Sequence, residues 1–174
     1  DISVTFNNQS NYWLDADQLL RPVGPLSIEE IISDLELYRG EFLPGFYDEW
    51  VGLERDRLQA AYCQKIGTLL DRLIDDSRWD EVVKWGEHWI KNGYSVEPAY
   101  RSLMKAHSAL GNKGMVGITY KRCCDALIRD LGVDPSPETV QLFEQLQIGQ
   151  PKQRASNPSS HIRSRQPKFI TDAG

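Results

Sequence analysis

The spacing of apolar positions along the chain changes period once, near residue 25. Before that point Ile2, Val4 and Phe6 alternate with polar neighbours, Asn7 to Asn11 form a turn-like stretch, and Tyr12, Trp13 and Leu14 resume a β-prone run. A period of two predicts a hairpin here, within an N-terminal strand segment spanning residues 1–20. Two strands alone are marginal in water, so the segment is expected to pack on a helical body or on a preceding domain.

From Ser27 the apolar period becomes 3.6. Ser27 and Glu30 stand at capping-box spacing, and Ile28, Ile31, Ile32, Leu35 and Leu37 form a stripe that ends at Gly40. Phe42-Leu43-Pro44-Gly45-Phe46 reads as a connection that packs down. The longest helix is predicted over about 48–75, with Leu53, Leu58, Tyr62, Ile66, Leu69, Leu70 and Leu73 on its apolar face. Further helices are predicted over about 79–91, 96–110 and 113–131. The second of these opens with Ser95 as cap and buries Ala99, Leu103, Met104, Ala106 and Leu110, and the third uses Val116, Tyr120, Cys123, Cys124, Leu127 and Leu131. Ser136-Pro137 starts a last helix through Val140, Phe143 and Leu146.

Five or six helices with short connections make antiparallel neighbours. The segments 79–85 and 114–120 match at an offset of 35, close to the tetratricopeptide period, with Gly117 as the small residue expected to let two helices approach. The predicted fold is all-α, a tetratricopeptide-like array of antiparallel helical hairpins with a short N-terminal β-hairpin remnant. Residues 21–149 form the helical domain and residues 150–174 a flexible basic linker or tail.

Charge sharpens this division. The 174 residues carry a net −5, but residues 151–174 hold Lys152, Arg154, Arg163, Arg165 and Lys168 against Asp172 alone, a net +4 that leaves −9 on residues 1–150. An acidic body repels phosphate, which argues against nucleic-acid binding by the body itself. No apolar run approaches the roughly 20 residues needed to cross a bilayer, and no signal-peptide pattern opens the chain, so a cytoplasmic location without a membrane partner is expected. Cys63, Cys123 and Cys124 form no C-x-x-C pair and are expected as reduced, buried thiols.

Catalytic signatures are missing from the sequence. It contains no G-x-S-x-G, no H-E-x-x-H, no phosphate-cradling glycine loop and no calcium loop, and His88, His107 and His161 lack a second ligand at helical metal spacing. No enzymatic activity, cofactor or metal is expected. Asp71, Asp75, Asp76, Asp80 and Glu81 read as a solvated hairpin tip. Glu54, Arg55, Asp56 and Arg57 read as outer-face charges, some of them pairing across to the connection at Phe46. Trp50, Trp79, Trp85, Trp89, Tyr94, Tyr100 and Tyr120 fit inter-helix packing first and a partner groove second.

The run Tyr38-Arg39-Gly40-Glu41-Phe42-Leu43-Pro44-Gly45, followed by Trp50 and Glu54-Arg55, resembles the bacterial transcriptional activator domain of antibiotic-pathway regulators and their larger relatives. The later motifs agree in order: 97–104 (EPAYRSLM), Gly111-Asn112, 120–123 (YKRC) and 131–139 (LGVDPSPET). The resemblance spans about 14–146. It implies a helical domain that directly follows a promoter-reading winged helix and supports dimer contacts, polymerase contacts or signal coupling. Residues 1–20 then resemble the junction with that upstream domain. The expected function is regulatory and protein-binding. The partners are the protein's own winged helix, a second protomer and the transcription machinery, with DNA reached only through the upstream domain. A general tetratricopeptide adaptor is the alternative. If a partner surface exists, Trp50, Arg55, Tyr100, Arg101, Tyr120 and Arg122 are its candidates.

Overall fold

The computed structural model describes residues 15–40, 42–93 and 96–148. Among the described residues there are seven helices and no strand: α1 Asp15–Leu20, α2 Ile28–Leu37, α3 Glu49–Asp75, α4 Trp79–Asn92, α5 Glu97–Ala109, α6 Lys113–Leu131 and α7 Pro137–Ile148. The fold is all-α. The hairpin expected over Ile2 to Leu14 lies outside the described residues. The remainder of the 1–20 segment is helix α1, not strand, because Asp15 and Asp17 favour its N-terminus and Leu19 is buried in the core.

Local sequence accounts for two helix ends directly. At α2 the Ser27 hydroxyl accepts from the Glu30 amide at 3.2 Å while the Glu30 carboxylate accepts from the Ser27 amide at 2.8 Å, the reciprocal capping box its spacing predicts. Those bonds hold the Glu30 carboxyl below its ordinary value. Helix α6 ends on Gly132 at φ +68°, a left-handed conformation that glycine adopts without a Cβ penalty. Helix α5 starts at Glu97 with Val96 at its N-cap and no side-chain cap bond, one residue later than the expected cap Ser95 allows, and Ser95 itself lies outside the described residues.

Successive helices run antiparallel. Asp34 on α2 meets Lys65 on α3, Tyr38 at the end of α2 stacks on Tyr62 of α3 with ring centroids 4.5 Å apart, and Glu29 meets Arg78 just past the end of α3, so rising numbers on α2 oppose falling numbers on α3. The main core joins α1 through α5 around Leu35, Ile66, Leu69, Leu73, Val82 and Trp85, and a smaller one joins Tyr100 to Cys123, Ala126 and Leu127. Burying each large aliphatic chain contributes about 1.5–3 kcal/mol. Helices α4 and α5 approach closely at Gly86, where a Cβ would stand 2.9 Å from two Leu103 side-chain atoms. Gly117 has no such role, since a Cβ there meets nothing within 4 Å.

That difference corrects the repeat register. The α3–α4 and α5–α6 turns superimpose by their hydrogen bonds at an offset of 34, not 35. Arg78 N donates to Leu73 O as Asn112 N donates to His107 O, both at 2.8 Å, and Ser77 (φ +56°) occupies the place of Gly111 (φ +75°). Val82 therefore corresponds to Val116, and both are buried. The 35-residue match aligned aromatic residues one position late, which rotates every face by about 100°.

Polar ties close both ends of the array. At the first, the buried Asp34 carboxylate accepts from Arg21 at 2.7–3.1 Å and from the buried Lys65 ammonium, which also donates to the Gln18 carbonyl at 2.9 Å, so α1, α2 and α3 share one ionic cluster. Burial alone would raise the Asp34 carboxyl, but hydrogen bonds and charge from Arg21 and Lys65 outweigh it and hold the group below its ordinary value. At the other end the Glu97 carboxylate accepts from Ser136 N at 3.0 Å, Ser136 Oγ at 2.7 Å and Thr139 Oγ1 at 2.5 Å, fixing the start of α7 on α5.

Candidate functional site

Chain direction reverses between α2 and α3 through a connection with three described residues at positive φ, Gly40 at +142°, Leu43 at +47° and Gly45 at +88°. Such a turn is stable only if its carbonyls are satisfied. Arg55, one turn into α3, supplies the donors: Nε to Phe42 O at 2.8 Å, Nη2 to Leu43 O at 2.6 Å and Nη2 to Phe46 O at 2.9 Å. The planar guanidinium holds three carbonyls at once, which a lysine ammonium on a flexible stem does not reproduce. This is the pairing across to Phe46 that the charge pattern suggested.

The clamped turn leads into a continuous exposed apolar row. Phe46 and Trp50 are more than half exposed, Leu53 is 67% exposed and Tyr47 is 91% exposed. Asp48, Glu49, Asp56 and Arg57 are exposed beside them, so the row has a charged rim. Large apolar groups clustered on a charged surface mark a contact site more often than isolated ones do. The connection is thus packed at Phe42 and open at Phe46, against the expectation that all of it packs down. Behind it, Leu19, Leu37, Tyr38, Phe42, Leu43 and Leu58 line an open cleft of about 640 Å³, placed between α1, the end of α2 and α3.

The six residues singled out from the sequence do not form one surface. Trp50 belongs to the exposed row and Arg55 supports it from behind. Tyr100 is buried against Cys123 and Leu127. Arg101 donates to Thr139 Oγ1 at 3.0 Å and lies 3.4 Å from Glu138 and 3.9 Å from Glu97. Tyr120 stacks flat on Phe143, with centroids 4.0 Å apart and planes 3° from parallel. Arg122 forks onto Glu87 at 2.6 and 2.8 Å, tying α6 to α4 and holding the Glu87 carboxyl below its ordinary value. Five of the six therefore have intramolecular partners.

Phe46, Tyr47 and Leu53 are the residues that the sequence reading passed over or misplaced. Leu53 was assigned to the buried face, yet it lies about 200° around α3 from Val51, and that helical phase was available in the sequence. Leu110 and Leu131, also expected inside, are likewise exposed because each sits at the last residue before a glycine turn.

Other chemically capable groups are buried, paired or exposed to solvent. Cys63 and Cys123 are free thiols raised by burial, Cys123 to about 12, which removes thiolate reactivity near neutral pH. Burial lowers the His107 imidazole, whose two ring nitrogens have no partner among the described residues. Asp71, Asp75, Asp76 and Asp80 are exposed at the α3–α4 tip, while Glu81 pairs with Arg78 at 2.5 Å. Among the described residues no group of three or more His, Cys, Asp or Glu is arranged to hold a metal ion, and no helix is long and apolar enough to cross a membrane.

A helical-repeat scaffold with an exposed apolar row beside its α2–α3 turn is the class these features define. The family model of the bacterial transcriptional activator domain matches residues 26–147, more than half of the chain, and the chain belongs to that family. It is a domain of the transcriptional-activator type, concerned with transcription regulation. Neither the curated proteins nor the solved structures contain a match to this chain.

Proposed function

We propose that the chain is the non-enzymatic regulatory and protein-contacting part of a cytoplasmic bacterial transcription regulator, acting next to a winged helix that lies upstream and reads DNA. The 34-residue spacing supports a tetratricopeptide-like array, and the family supports the regulatory setting. The observation that carries the contact role is the row Phe46, Tyr47, Trp50 and Leu53, which begins on the turn braced by Arg55 and continues on helix α3. An apolar row so placed loses little conformational entropy on docking and suits a protein partner such as the upstream domain, a second protomer or the polymerase. The body's excess of acid places DNA affinity elsewhere.

The test separates promoter binding from activation in the natural regulator. Trp50→Ser with Leu53→Ser should leave promoter affinity within about twofold and reduce reporter transcription by about tenfold or more. Unchanged activation refutes the contact role. Tight duplex binding by residues 1–174 alone, with a steep salt dependence, refutes the assignment of DNA reading to another domain.

A further inference from the structure

Among the described residues, the outer face of α6 has no partner. Its buried residues, Val116, Thr119, Cys123, Ala126 and Leu127, occupy one side, and on the opposite side stand Gly114, Ile118, Lys121, Asp125, Ile128 and, at the helix end, Gly132. Ile118 and Ile128 are more than half exposed, and Cβ atoms at Gly114 or Gly132 would meet nothing within 4 Å. The order of these residues is symmetrical about the centre of the helix. Reversing the helix end for end exchanges Gly114 with Gly132, Ile118 with Ile128, and Lys121 with Asp125.

We propose that this face pairs with the same face of a second copy of the chain, the two α6 helices lying antiparallel across a twofold axis near Cys123. The proposal rests on the dimer element of the function above and names the surface that carries it. A twofold interface must be self-complementary, and the exchange just described meets that condition. Ile118 of one copy meets Ile128 of the other, the glycines allow the helix ends to approach closely, and Lys121 faces Asp125 twice. Within one helix Lys121 precedes Asp125 by four residues, the weaker order for an intrahelical pair, and the two form no salt bridge with each other. Arg129, one turn beyond Asp125, is forked onto Asp130 at 2.7 and 2.9 Å and feels the Asp125 charge as a weaker attraction. Two 19-residue helices in contact over about 28 Å bury roughly 1,000 Å² in total, the low edge of specific interfaces, so the association is weak and exchanging, in the micromolar range.

The experiment is sedimentation equilibrium of residues 1–174 at low salt from about 1 to about 200 µM. The wild-type mass should rise toward that of a dimer. Lys121→Asp alone and Asp125→Lys alone each place like charges in both pairs and should weaken self-association by about tenfold or more. Mixing the two single variants should restore dimers, because both charge pairs are then opposite. Circular dichroism confirms that these exposed changes leave helicity intact. A wild-type dimer indifferent to either reversal, or variants whose mixture stays monomeric, overturns the α6 surface while leaving a dimer through another face. A wild-type chain that is monomeric throughout overturns both this surface and the dimer element of the proposed function, and leaves the activation test above to decide the rest.

Discussion

Removing the Asp34 carboxylate tests how the first end of the array is held. In Asp34→Ala the Lys65 ammonium, 2% exposed, keeps only the Gln18 carbonyl as acceptor, while Arg21, whose side chain is 34% exposed, can turn to solvent. An uncompensated buried charge costs about 3–5 kcal/mol. Total stability of a domain is about 5–15 kcal/mol, so the loss should lower the unfolding midpoint by about 10 °C or more. Thermal and urea unfolding followed by circular dichroism at pH 7 measure it. A loss below about 1 kcal/mol, the value of an exposed ion pair, would refute the reading of Asp34 and Lys65 as a buried pair.

A companion variant separates charge from packing. Asp34→Leu combined with Lys65→Met removes both buried charges and should come within about 1 kcal/mol of the wild type, because apolar residues often replace a buried ion pair without loss. The pH dependence has a defined sign. Asp34 is depressed in the folded state, so its contribution is present above the ordinary carboxylate value and is lost as pH falls through the lower folded value. The stability difference between wild type and Asp34→Ala should therefore be constant near neutrality and shrink below about pH 4.

Arg55→Ala removes donors from three carbonyls and should cost about 2 kcal/mol, with faster hydrogen exchange over residues 42–47, and Arg55→Lys should recover only part of it. Gly86→Ala forces a methyl onto Leu103 and should destabilise by about 1–3 kcal/mol in urea unfolding. Ser77→Gly should stabilise by up to about 1 kcal/mol, since Gly111 takes the equivalent left-handed conformation without strain; a net loss there would contradict the 34-residue register. Glu97→Gln weakens the charge-assisted bonds to Ser136 and Thr139, so residues 137–148 should exchange amide hydrogens several-fold faster while α3 and α4 keep their protection.

The helix ends were legible because their signals are local. Ser27 with Glu30, Ser136 with Pro137, and Gly132 each act within one turn, and each lies where the sequence placed it. Helix α1 had no such signal. Six residues do not hold a helix alone, and its support comes from Asp34 and Lys65, 13 and 47 residues away from Arg21 and Gln18. The contact row was missed for a different reason. Residue type made Leu53 look buried, whereas its angular position on α3 puts it outside. Arg122 and Tyr100 were read as contact candidates because aromatic and basic side chains favour interfaces, but the same chemistry also suits the joints between packed helices.

A repeat array grows by stacking, so its two ends are where exposed apolar surface is expected to remain. Here both ends are closed by charge-assisted bonds: α1 and α2 through Asp34, and α7 through Glu97 and the Tyr120–Phe143 stack. The exposed apolar groups lie instead on the flanks, beside the α2–α3 turn and along the outer side of α6. Neither flank is a stacking surface, so neither row is a by-product of ending the array. Retaining Tyr47 almost fully exposed beside a turn that Arg55 braces, and Ile118 beside a glycine on a solvent-facing helix, lowers solubility without adding to the core. The protein contacts proposed above would offset that cost, and they would place the domain's work on its flanks rather than on its capped ends.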